Sequence, residues 1–164
     1  MKIGLADNIA SQMMKCGQPG ELKATKTQLE NFKQRHLIQM EWAVANLPTD
    51  GCRTSIIPAV IVKCLIKYDH QRVATFCKAL KNGLFNGVDD PAYLLWQLIQ
   101  KHRRAKGSNS VNVYFMTVCA AKAYMEGKTL QRLTPSNKDI FDWDEDFTVP
   151  DELLKNWHPD KVPS

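Results

Sequence analysis

Residues 56–66 read Ile-Ile-Pro-Ala-Val-Ile-Val-Lys-Cys-Leu-Ile, apolar at nearly every position and broken only by Pro58 and Lys63. Ser55 can cap a helix here, and Pro58 falls in its first turn, where a missing N–H costs nothing. A helix that is apolar on most sides has to be covered on most sides. The stretch is far short of the ~20 residues a membrane span needs, so the cover has to come from protein. The rest of the chain must therefore supply helices or strands that each turn one apolar face inward.

The punctuation around this stretch points to helices. Gly17-Gln18-Pro19-Gly20 is a breaker cluster. Thr27-Gln28-Leu29-Glu30 fits a capping box, and Leu29, Phe32, Leu37, Met40, Val44 and Leu47 follow at near-helical spacing until Pro48 and Asp50-Gly51. Asp69 can cap a helix whose stripe is Val73, Phe76, Cys77 and Leu80, and Asn82-Gly83 closes it. Asp89-Asp90-Pro91 opens another helix that runs through Leu94, Leu95, Leu98 and Ile99 into Lys101-His102-Arg103-Arg104. The last carries Tyr114, Phe115, Val118, Cys119 and Met125 and stops at Gly127. The pattern predicts helices over 27–46, 56–67, 70–81, 91–103 and 110–126. Residues 1–24 read as an arm or short helix, 25–138 as a helical domain, and 139–164 as an acidic strap. The fold class is all-α, a compact bundle of five to six helices.

Charge divides the chain in two. Residues 1–138 hold 20 Lys and Arg against 9 Asp and Glu, whereas residues 139–164 hold 2 against 8. A basic body favours a polyanionic partner, and an acidic tail suits a surface that covers or competes for the same face. The N-terminus lacks a sustained apolar run leading to a small-residue cleavage site, so the expected location is the cytoplasm. Five widely spaced cysteines, Cys16, Cys52, Cys64, Cys77 and Cys119, match no metal pattern and read as reduced thiols.

No phosphate loop, dinucleotide fingerprint or hydrolase elbow occurs, and His36, His70, His102 and His158 stand apart from one another and from ligand-spaced partners. No catalysis, metal or cofactor is expected. Lys101, Arg103, Arg104 and Lys106 form the densest basic cluster, beside a Gly-Ser-Asn loop and the start of the next helix. Free N–H groups and cations together suit a phosphate there, against the plainer reading of a solvated helix end. Lys122 and Arg132 lengthen the basic stripe. Such contacts hold a nucleic acid without reading its bases.

The tail interleaves Asp139, Asp142, Asp144, Glu145 and Asp146 with Ile140, Phe141, Trp143 and Phe147. Large apolar side chains at this density are costly to leave in water, which favours a strap docked on the body over a disordered interaction segment. Asp142, Trp143, Asp144, Glu145, Asp146 and Phe147 are the expected partner-binding residues.

From Ser55 to Trp143 the order of features resembles the helical C-terminal region of phage- and plasmid-encoded ParB-like proteins. The matching stretches are Phe76-Cys77-Lys78-Ala79-Leu80 with Gly83, Asp90-Pro91-Ala92 opening a helix, and Met116-Thr117-Val118-Cys119-Ala120-Ala121-Lys122-Ala123-Tyr124 ending in Glu126-Gly127-Lys128, with Leu130 and Leu133 beyond. Residues 1–50 show no ParB-type domain, and Ala121 stands where the family tends to place an aromatic. The resemblance therefore implies a DNA-associated helical module of mobile-element type, without the family's nuclease or nucleotide-hydrolysing activity. Two readings stand together: a non-catalytic DNA-binding protein using the basic cluster, and a phage- or plasmid-encoded adaptor or inhibitor that meets a protein partner through its acidic, aromatic tail.

Overall fold

A computed structural model of the chain describes residues 3–15, 26–48, 56–104 and 110–134. The strap, Lys106, Cys16 and Cys52 lie outside the described residues. Six helices make up the described structure, with no strand among the described residues: α1 (Ile3–Lys15), α2 (Lys26–Asn46), α3 (Ile56–Lys67), α4 (His70–Asn82), α5 (Pro91–Arg104) and α6 (Ser110–Met125).

The apolar run forms α3, and it is the axis of the bundle. Ile56 through Leu65 are all buried, Lys63 among them, because α1, α2, α4 and α6 all pack on this helix. The N-terminal segment is a helix that inserts Ala6, Ile9 and Ala10 into the same core. α5 closes the other side against α4 and α6.

Two buried faces differ from the expected stripes. On α2 and the residue just past its end the inward positions are His36, Gln39, Met40, Ala43 and Leu47, with Trp42 beside them, while Leu37 and Ile38 face outward. Their spacing is helical, but two of the five are polar, so a reading that counts only apolar residues rotates the face. On α6 the buried residues are Val113, Met116, Thr117, Val118, Ala120, Ala121, Ala123 and Tyr124, whereas Phe115, Cys119 and Met125 are half-buried. Small alanines let α6 lie close to α3, α4 and α5 at once. The buried Thr117 hydroxyl is satisfied by donating to the Val113 carbonyl at 2.7 Å.

The caps explain where the helices begin and end. Asp90 Oδ1 accepts from the Ala92 N–H and Oδ2 from the Asn86 N–H, both at 2.9 Å, so one buried carboxylate starts α5 and ties down the loop before it. Gly83 and Gly127 sit at φ +69° and +71°. Each ends its helix in a Schellman turn, closed by Leu84 N–H to the Ala79 carbonyl at 3.1 Å and Lys128 N–H to the Ala123 carbonyl at 2.8 Å.

Asp69 occupies the N-cap of α4 but makes no side-chain capping bond. The expected capping box at Thr27 is replaced too. α2 already includes Lys26, and the Glu30 carboxylate meets Lys33 Nζ at 2.9 Å and accepts from Gln34 Nε2 at 3.3 Å. Lys33 also reaches Asp7 of α1 at 3.1 Å. Cys64, Cys77 and Cys119 form no disulfide, the first two buried and the third half-buried, with burial pushing the Cys64 thiol up.

Candidate nucleic-acid interface

α5 and α6 run antiparallel, because the Leu130 N–H, just past the end of α6, donates to the Asp89 carbonyl just before α5 at 2.9 Å. This hairpin separates the expected basic residues into two groups. Lys101 is exposed on α5, and Arg103 and Arg104 belong to the last turn of that helix, next to the start of α6. Lys122 and Arg132 lie toward the opposite end. With a rise of about 1.5 Å per residue, Lys122 is roughly 18 Å along α6 from Ser110. Lys101 and Lys122 thus lie toward opposite ends of the hairpin. The partner-binding residues 142–147 lie outside the described residues.

A third basic element sits alongside. α4 packs against α5 and α6 and contains no Asp or Glu; Gln71, Arg72, Thr75, Lys78 and Lys81 are all exposed on it. Two of its cations already serve the fold. Arg72 donates from Nη2 and Nε to the Tyr124 carbonyl at 2.8 and 3.2 Å, and Lys81 Nζ reaches the Ala45 carbonyl in the last turn of α2 at 3.4 Å. Each places positive charge at the C-terminal end of a helix, where the helix dipole is negative. The acid-free run of α4 is visible in the sequence but is spread between core residues, so a search for dense clusters passes over it.

Charge balance sets this half of the bundle apart. The described residues from 56 onward include eleven Lys and Arg against Asp69, Asp89, Asp90 and Glu126. Asp90 is buried and committed to the α5 cap, and Glu126 lies 3.6 Å from Lys128. Across the bundle, by contrast, Lys33 is held between Asp7 and Glu30, and its pKa is raised by those two carboxylates.

Beside the basic surface lies an aromatic one. Phe85 from the α4–α5 loop packs on Tyr93 and Trp96 of α5, with centroids 5.3 and 5.8 Å away, and Tyr93 stacks on Trp96 at 6.3 Å. The Tyr93 hydroxyl accepts from Gln97 Nε2 at 2.9 Å. Leu84 and Val88 in the same loop are 60% and 78% exposed. Among the described residues no group of three or more His, Cys, Asp or Glu is placed to hold a metal ion, and no helix is long and apolar enough to cross a membrane. No family model, curated protein or solved structure matches the chain.

Proposed function

We propose that this protein is a non-catalytic, nucleic-acid-associated helical protein of the mobile-element type implied by the resemblance over residues 55–143, acting in the cytoplasm with DNA as its partner. The binding surface joins Lys101, Arg103, Arg104 and Lys106 at one end of the α5–α6 hairpin, Lys122 and Arg132 toward the other, and Lys78 on α4. The observation that carries this reading is the acid-free outward face of α4 beside that hairpin. An ordinary solvated surface interleaves both signs of charge, whereas a polyanion is repelled by each carboxylate in its footprint.

Contacts of this kind position a phosphate backbone and leave the base edges unread, so binding is expected on many sequences alike. The test compares Arg103→Glu/Arg104→Glu with Glu41→Lys, on the exposed side of α2. The first variant should weaken binding to a short DNA duplex and lower its salt slope by about one unit per lost phosphate contact. The second should leave the slope unchanged. Equal affinity and slope in the arginine variant and the wild type would make the cluster plain surface.

A further inference from the structure

We infer that the α4–α5 loop and the first turns of α5 form the seat of the chain's own C-terminal segment, with Phe141 and Trp143 as its anchors. The seat is the surface of Leu84, Phe85, Val88, Tyr93 and Trp96. Its three rings are mutually packed and half-buried, which fixes them in place, while Leu84 and Val88 beside them are largely exposed. A prepacked aromatic surface rimmed by exposed aliphatic side chains gains most from an apolar occupant, because little side-chain entropy remains to be lost on its own side.

The path of the chain selects the occupant. The Leu130 N–H is bonded to the Asp89 carbonyl, and Asp89 adjoins Val88, so residues after 130 set out from the edge of this seat. Leu133 packs on the core, holding the exit there. From Leu133 to Phe141 is a tether of eight residues. At no more than about 3.6 Å per residue, it spans the roughly 7.5 Å of helix between Pro91 and Trp96 several times over. A tether this short presents its segment at an effective concentration of about millimolar, which no separate partner matches without tight binding.

The chemistry of residues 140–147 fits the seat as well. In an extended segment Phe141 and Trp143 share one face, and Asp142 and Asp144 the other. The rings can enter the aromatic surface while the carboxylates stay in water. Lys128 and Arg132, exposed beside the exit, provide opposite charge for the outward carboxylates. The anchoring contacts lie on the aromatic surface and do not depend on DNA binding; of the cations beside the exit only Arg132 is shared with the proposed DNA-binding face.

The test uses the full chain and two variants. Leu84→Ser/Val88→Ser alters only exposed side chains of the seat, and Phe141→Ser/Trp143→Ser removes the anchors. Brief chymotrypsin digestion, read by mass, should cleave after Phe141, Trp143 or Phe147 about tenfold faster in the seat variant than in the wild type, as expected for a closed state that opens before cutting. Amide exchange over residues 84–89 should quicken in the anchor variant with α3 unchanged. Equal cleavage rates and equal exchange would overturn the inference. So would a concentration-dependent dimer that the seat variant abolishes while tail cleavage stays the same, because the occupant would then be a second copy.

Discussion

The Arg72 guanidinium lies 4.2 Å from the centroid of the Tyr124 ring and donates two hydrogen bonds to the carbonyl of that same residue. One side chain thus joins the first turn of α4 to the last turn of α6. Phe76, one turn further along α4, packs on the Tyr124 ring at 4.7 Å. The donors of Arg72 are therefore spent on a helix C-terminus 52 residues away.

Truncating that arginine should open the α4–α6 contact. Arg72→Ala is expected to lower stability by about 2 kcal/mol, from charged hydrogen bonds and a ring contact at a partly exposed site. Arg72→Lys should recover less than half, since an ammonium cannot keep both donors on one carbonyl and a flat face on the ring. Urea unfolding midpoints measure this, and a lysine variant as stable as wild type would show that only the charge matters.

Asp90 caps a helix and ties a loop with one carboxylate. Asp90→Ala leaves two N–H groups without their acceptor and should cost about 2 kcal/mol, lowering the thermal midpoint by about 4–8 °C. Asp90→Asn keeps the bond to Ala92 through its carbonyl oxygen but turns an amide N–H₂ toward the Asn86 N–H, so it should fall between the two. Calorimetry on the three proteins gives the order.

His36 gives the fold an acid sensitivity. Burial, aided by the charge of Arg35, lowers its pKa to about 4 from 6.5. The unfolded chain therefore takes up the proton first as pH falls, and stability is lost between about pH 6.5 and 4, with roughly 3 kcal/mol at stake. His70, lowered by its own burial, acts in the same direction. Unfolding at pH 7.5 and 4.5 should show a smaller loss in His36→Leu than in wild type, and equal losses would remove His36 as the cause.

The helix boundaries were legible because their signals are local. Pro91 at a first turn, Gly83 and Gly127 at left-handed positions and the apolar run of α3 each act within a few residues, and the helices end within a residue or two of the expected limits. The buried faces of α2 and α6 were less legible. Whether His36 and Gln39 point inward depends on α1 and α3 being there to cover them, and the burial of Ala120 and Ala121 depends on how closely three neighbours approach. The dense cations after Lys101 stood out as a run. The aromatic seat did not, because Phe85 and Trp96 meet only after the loop at Asp90 folds back.

The DNA reading is tested most directly by the salt dependence of binding to a short duplex of arbitrary sequence. If the basic face holds phosphates, the logarithm of the association constant should fall linearly with the logarithm of salt concentration, with a slope of about −3 or steeper for three or more neutralised phosphates. A second duplex of unrelated sequence should give the same slope and nearly the same affinity. Binding that is absent at low salt, or that keeps its strength as salt rises, would contradict the account.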